Sequence, residues 1–155
     1  MSNWKDDIVE QISISQYLLD SKVETAERLS MIIVDNTAEY ILKAYVELEK
    51  RLVGKQIKKK DWEEKKRFFE SLIDYVYSIA TINADKQKIL EYHDIRNNLY
   101  HQGLPLSVKP SKILSYVVEC KTLLNDLVGF KMSENSWKMK EKEVRKEFEK
   151  KVINY

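Results

Sequence analysis

Apolar residues recur every three or four positions along most of the chain, which is the spacing of one face of an α-helix. The pattern predicts six helices, over about residues 4–19, 23–52, 61–80, 83–101, 110–128 and 134–153. Strict alternation of apolar and polar residues, the pattern of a half-buried strand, is not sustained anywhere. Helices of this length with short connections favour the all-α class, packed as an antiparallel up-and-down bundle.

The ends of the predicted helices carry the expected punctuation. The three glycines, Gly54, Gly103 and Gly129, each stand where an apolar helical pattern stops, which predicts helix C-caps. Pro110 is placed to open the helix that follows it. Asp61 has a glutamate three residues further on, which predicts an N-terminal capping box. We therefore expect one helical bundle over residues 1–130, and an amphipathic helix in residues 131–155 that docks on the bundle or on a partner.

Composition narrows the class of protein. With 155 residues, 43% of them apolar and 34% charged, the chain fits one folded domain. The longest apolar runs, such as residues 31–34, are far shorter than the roughly 20 residues of a membrane span. The N-terminal residues carry acids and do not resemble a signal peptide. Cys120 is the single cysteine and lies in an apolar helical pattern, so we expect a buried thiol and a cytoplasmic protein without membrane contact.

The net charge of +2 is unevenly distributed. Residues 50–67 contain nine basic and three acidic side chains. Such a stretch can attract a polyanion, and Lys58, Lys59 and Lys60 are its candidate RNA contacts. The alternative is an ordinary solvated loop between two helix ends.

The candidate for chemistry is the segment Arg96-Asn97-Asn98-Leu99-Tyr100-His101 in the predicted fourth helix. On a helical wheel, Arg96 lies at the edge of the inward stripe, whereas Asn97 and His101 share an outward face. Arg96 and His101 are about 140° apart on an ideal helix. One copy therefore makes no simple site unless the last turn is distorted or two copies combine.

This segment, followed by Gln102 and Gly103, resembles the R-x4–6-H motif of the HEPN (higher eukaryotes and prokaryotes nucleotide-binding) family. Residues 29–44 are similar to the long second helix of that family, in which polar residues interrupt an apolar run. Asp35, Asn36 and Glu39 occupy the interrupting positions in this chain. With the order of the helices, the resemblance spans roughly residues 23–128.

The resemblance implies a helical bundle of four to five core helices and a metal-independent endoribonuclease that needs no cofactor. It implies a homodimer in which both motifs meet at one composite site, which would resolve the wheel geometry. It also implies toxin–antitoxin or antiviral defence systems, so RNA, a second copy and an antitoxin or defence protein are the expected partners.

The residue types suit that chemistry. The 2′-hydroxyl of RNA can attack the neighbouring phosphate and leave a 2′,3′-cyclic phosphate. His101 would supply general acid–base catalysis near neutral pH, and Arg96 would stabilise the charged phosphoryl oxygens. Asn97 would orient His101 or the phosphate.

Other interpretations of the same residues stay open. His101 could favour the dipole of a helix end, and Arg96 could be an ordinary residue at the edge of the stripe, paired with Asp94 or Glu91. Asp35, Asn36 and Glu39 could form a buried polar network or support the cleft. His93 is expected to be solvated or structural. The corresponding alternatives for function are a non-catalytic HEPN-like module that binds RNA, nucleotide or protein, and a purely structural helical dimer.

Overall fold

Seven α-helices make up most of the computed structural model, which describes residues 3–48, 57–101 and 104–153. The helices are α1 (Trp4–Asp20), α2 (Glu24–Glu47), α3 (Lys59–Lys65), α4 (Phe69–Ile79), α5 (Lys86–Asn97), α6 (Pro110–Leu123) and α7 (Glu134–Ile153). A π-helical turn, Leu124–Val128, continues α6. Two two-residue strands, β1 (Tyr100–His101) and β2 (Leu104–Pro105), pair antiparallel. The predicted all-α class is confirmed.

Helix α2 is the central element of the bundle. It packs against α1, α4, α5 and α6, so it is covered on more than one side. Met31, Val34 and Ile41 lie on one face of this helix and have no exposed surface at all. Leu48 continues the three-and-four spacing of Ile41 and Ala44, which predicts an inward position, but its side chain is exposed. The predicted continuation of this helix and the predicted cap at Gly54 lie outside the described residues.

The single helix predicted over residues 61–80 is wrong, because α3 and α4 are separate helices. Helix α3 begins before Asp61, so Lys58 and not Asp61 stands at its N-cap. Trp62 is buried and its indole Nε1 donates to Glu47 at the end of α2, 2.9 Å away. The Ser71 hydroxyl donates to the carbonyl oxygen of Lys65 at 2.6 Å, which satisfies a backbone group at the break.

The predicted fourth helix is too long, and this correction changes the site. Helix α5 ends at Asn97, where the side chain of the next residue, Asn98, donates to the carbonyl oxygen of Asp94 at 2.8 Å. An amide that bonds to the backbone in this way competes with further helix formation. The backbone amide of Leu106 then donates to the carbonyl oxygen of Leu99 at 2.7 Å. His101 lies in β1, so it shares no helical face with Asn97.

The start of α5 is fixed by carboxylates of the neighbouring segment. Asp126, in the π-helical turn, accepts hydrogen bonds from the backbone amides of Asn83 and Ala84 at 2.7 and 3.2 Å. Glu119 of α6 accepts from the backbone amide of Asp85 at 2.8 Å. These bonds hold the N-terminal end of α5 against α6, and thereby set the position of the residues near its other end.

The C-terminal elements follow the sequence pattern closely. Pro110 opens α6, and Cys120 is fully buried, as predicted. Gly129 has a left-handed backbone with φ of 68°, which confirms the predicted cap at this position, whereas Gly103 lies outside the described residues. Helix α7 packs against α1 and buries Trp137 in the common core. None of the helices that the structure describes combines the length and apolar character needed to cross a bilayer.

Candidate functional site

The carboxylate of Asp35 is the centre of a polar cluster that joins three helices. Asp35 belongs to α2 and is only 3% exposed. Its Oδ1 accepts a hydrogen bond from the hydroxyl of Tyr116 on α6, 2.6 Å away. Both of its oxygens lie 3.1 Å from Nδ1 of His93 on α5. A buried carboxylate is stable only with such partners, so these bonds are conditions of the fold.

Tyr116 is a permanent hydrogen-bond donor to this carboxylate. Burial, together with the negative charge of Asp35, raises the pKa of the Tyr116 phenol well above its ordinary value. The hydroxyl therefore stays protonated across the physiological pH range. The ring packs at 5.2 Å between centroids from that of Tyr92, whose hydroxyl donates to Ser115 at 2.7 Å.

Arg96 lies beside this buried acid at the end of α5. Its Nε is 3.6 Å from Oδ2 of Asp35, and its Nη2 is 3.5 Å from the amide oxygen of Asn36. Its Nη1 donates to the amide oxygen of Asn97 at 3.2 Å. About 35% of the side chain is exposed. Nε is buried without a hydrogen-bond partner, so only the charge of Asp35 holds this edge of the guanidinium, while part of the group stays accessible to a ligand.

The hydrogen bonds around Asn97 determine the tautomer of His93. Because Arg96 can only donate, the atom of Asn97 that faces it must be the oxygen. The amide nitrogen of Asn97 then faces Nε2 of His93 at 3.1 Å, and Nε2 must be the acceptor. Nδ1 faces a carboxylate that can only accept, so in this arrangement it carries a proton and donates it to Asp35.

His93 is also fixed by ring stacking. The ring of Phe69, the first residue of α4, lies 3.9 Å from the imidazole centroid with an interplanar angle of 11°. The sequence interpretation expected His93 to be solvated or structural, and the structure places it inside the polar cluster. The spacing offered a signal for this, since Arg96 and Asn97 follow His93 by three and four residues on one helical face. Tyr116 was missed because it lies within an apolar pattern.

The remaining predicted residues divide into those the structure brings together and those it does not. Asp35, Asn36, Arg96 and Asn97 form contacts with one another. Glu39 pairs with Lys43 of its own helix at 3.3 Å, and among the described residues it acts on the cluster only through its charge, which adds slightly to the raised pKa of Tyr116. The backbone of His101 lies in β1, beyond the end of α5, and its side chain lies outside the described part.

The three lysines predicted to contact RNA lie apart from the polar cluster. Lys58, Lys59 and Lys60 are exposed at the start of α3. That helix is anchored through Trp62 to Glu47, which lies twelve residues beyond Asp35 on α2, or about 18 Å along the axis. The indole and Lys66 donate to Glu47, and these bonds outweigh the effect of burial and lower the pKa of its carboxyl.

No protein-family model matches this chain, and comparisons with curated proteins and with solved structures find no significant match. The class of protein is therefore described from the fold and the site alone. It is an all-α bundle in which a buried carboxylate holds a partly exposed arginine beside two amides. Among the residues described, no group of three or more histidine, cysteine or carboxylate side chains is arranged to hold a metal ion.

Proposed function

We propose that this protein is a metal-independent endoribonuclease of the HEPN type, built as an up-and-down bundle. One observation carries the proposal. Asn36 of α2 and Arg96 of α5 are 60 residues apart in the sequence, yet their side chains meet, and Asp35 joins them. These are the two segments whose sequences resemble the family, and their contact is what a shared site requires.

Arg96 is the phosphate-binding residue in this proposal. Its ion pair with Asp35 positions the guanidinium. Tyr116 and His93 are hydrogen-bond partners of the same carboxylate and stabilise its negative charge. The exposed part of the guanidinium can then donate two hydrogen bonds to phosphoryl oxygens without first being ordered. Such a preorganised cation stabilises the charge that accumulates as the 2′-hydroxyl attacks the phosphate.

His101 is the general acid–base in the proposal. The imidazole of His93 cannot take this role in the arrangement described, because Asn97 occupies its Nε2 and Asp35 its Nδ1. His101 follows α5 closely along the chain and is carried by β1. A homodimer would bring the two copies of Arg96, Asn97 and His101 to one phosphodiester.

The nuclease is tested with purified protein and end-labelled RNA in excess EDTA. We expect the wild type to cut the RNA and leave a 2′,3′-cyclic phosphate, identified by mass spectrometry. Arg96→Ala and His101→Asn should each abolish cutting while the circular dichroism spectrum is retained. Arg145→Ala, which removes an exposed arginine of α7, is the matched control and should cut normally. Cutting that persists in His101→Asn would refute the assignment.

The expected biological role is that of a toxin or phage-defence effector, held inactive by an antitoxin or by another protein of the defence system. Expression in a bacterial host should then arrest growth. The arrest should be relieved by His101→Asn and unaffected by Arg145→Ala. Arrest that is equally strong in the His101 variant would contradict an effector that acts through RNA cleavage.

A second candidate is a non-catalytic module that binds RNA. The observation that favours it is that both ring nitrogens of His93 already have hydrogen-bond partners, so this imidazole is not free for catalysis. The exposed lysines at the start of α3 and the exposed part of Arg96 remain available to phosphates. Wild-type protein that binds RNA and leaves it intact in every condition would select this candidate. In that case Arg96→Ala should weaken binding instead of cutting.

A further inference from the structure

Phe68 is an exposed aromatic residue at the start of α4. Its side chain is 65% exposed, more than any other large apolar side chain in the described part of the chain. The residue stands at the N-cap of α4, a position that favours serine, threonine, aspartate or asparagine, and it makes no side-chain cap bond. An exposed phenyl ring at such a position is available to an external partner.

The surroundings of the ring indicate a polyanionic partner. The guanidinium of Arg67 lies 5.5 Å from the centroid of Phe68. Residues 58–67 carry six basic and three acidic side chains, and of the basic ones Lys66 is the one paired with Glu47 and Glu63. An aromatic ring beside an arginine on a basic segment is the arrangement that single-stranded nucleic acids bind, through base stacking and phosphate contacts.

The ring is also close to the polar cluster. The next residue, Phe69, is buried and stacks on His93, which contacts Asp35 and Asn97. Adjacent Cα atoms are about 3.8 Å apart, so the exposed ring is one residue removed from a side chain of the cluster. A base stacked on Phe68 would therefore lie at the start of α4, the helix whose Phe69 packs on His93 of the polar cluster.

We propose that Phe68 and Arg67 form a stacking platform for an unpaired base of single-stranded RNA. This inference rests on the proposed function and adds to it the substrate class. Bases in an RNA duplex are already stacked and present no free face, so the platform selects unpaired segments.

The test is a binding titration with a fluorescein-labelled single-stranded RNA of mixed sequence, with His101→Asn as the parent protein to prevent cutting. Phe68→Ala should weaken binding about tenfold, as expected for one lost stack. Phe68→Trp should bind at least as well as the parent. Phe68→Leu keeps an apolar side chain without a π face and should lose as much as the alanine variant. Met139→Ala, at a residue that is 64% exposed on α7, is the matched control and should change nothing.

Two further measurements make the result decisive. RNA carrying 5-iodouridine should crosslink on irradiation to the peptide that contains Phe68, and the corresponding duplex should bind equally to all variants. The platform is overturned if Phe68→Leu binds like the parent, if the duplex loses affinity to the same extent, or if no RNA binds. Phe68-dependent binding without cutting by the wild type leaves the platform standing and removes the nuclease. If cutting needs Arg96 and His101 but neither cutting nor binding needs Phe68, the nuclease stands and the platform is removed.

Discussion

Asp35 and His93 are 58 residues apart in the sequence, and both carboxylate oxygens of Asp35 lie 3.1 Å from Nδ1 of His93. The contact joins the central helix α2 to α5. The same carboxylate is 3.6 Å from Nε of Arg96, so it holds an imidazole and a guanidinium at once. The accessible cation of the site thus depends on a residue that is itself almost inaccessible.

Asp35→Asn should lower the free energy of unfolding by about 1–3 kcal/mol, because a buried hydrogen-bond network loses its charged acceptor. Urea denaturation monitored by circular dichroism measures the change. Glu39→Gln is the control on the same helix, and we expect a change within about 0.5 kcal/mol because its pair with Lys43 is at the surface. Equal losses in both variants would show that Asp35 has no special place in the network.

His93 should carry its proton on Nδ1 in the wild type, since Asp35 accepts from Nδ1 and the amide of Asn97 donates to Nε2. Long-range 1H–15N NMR distinguishes the protonated from the bare ring nitrogen. In Asn97→Ala the Nε2 loses its donor, and its 15N resonance should shift while Nδ1 stays protonated. A wild-type spectrum with the proton on Nε2 would contradict the network.

Ionisation of Tyr116 should lower the free energy of unfolding at alkaline pH. Its pKa in the folded protein is raised, chiefly by burial, above the value of about 10 in the unfolded chain. Its contribution is therefore complete below about pH 10 and is lost as the pH rises above that value, since the unfolded state releases the proton first. Tyr116→Phe should be less stable at pH 7 and show a shallower decline above pH 10, measured by urea denaturation. The difference between the two proteins should stay constant from pH 7 to 9. An unchanged alkaline slope would contradict the assignment.

Two left-handed residues should respond oppositely to substitution. Gly129→Ala should cost about 1 kcal/mol, because φ of 68° strains any residue with a Cβ, although no atom lies within 4 Å of the added carbon. Lys22 has φ of 59° without being glycine, so Lys22→Gly should be neutral or slightly stabilising. Thermal denaturation of the two variants measures both effects. Destabilisation by Lys22→Gly as large as that by Gly129→Ala would show that backbone strain is not the cause.

The sequence was sufficient to locate the helices wherever a long apolar stripe met a clear cap. The helix of residues 134–153 and the start at Pro110 agree with the prediction. The break between α3 and α4 was missed because Trp62 and Phe69 fit one helical pattern as well as two. What separates them is a long-range hydrogen bond to Glu47 and the bond from Ser71, and neither leaves a local trace in the sequence.

The site was only partly predictable, because its contacts also join residues that are far apart in the sequence. Asp35 and Asn36 were chosen from the resemblance, and their contact with Arg96 depends on how α2 and α5 pack, which periodicity alone does not specify. The end of α5 at Asn97 depends on the side chain of Asn98 and on the bond between Leu106 and Leu99. The helical wheel assumed that the helix continues through His101. The two hydrogen bonds just named end the helix at Asn97 instead, and His101 lies in β1.

The short ladder of β1 and β2 has an evolutionary consequence. Arg96 is set by interhelical packing, whereas the backbone of His101 is set by the turn that follows α5 and by the closure between Leu99 and Leu106. A change in the length of that turn would re-aim residue 101 and leave the interior of the bundle intact. If the proposed nuclease function holds, selection can therefore change the placement of His101 without changing the packing on which the thermal stability of the bundle depends.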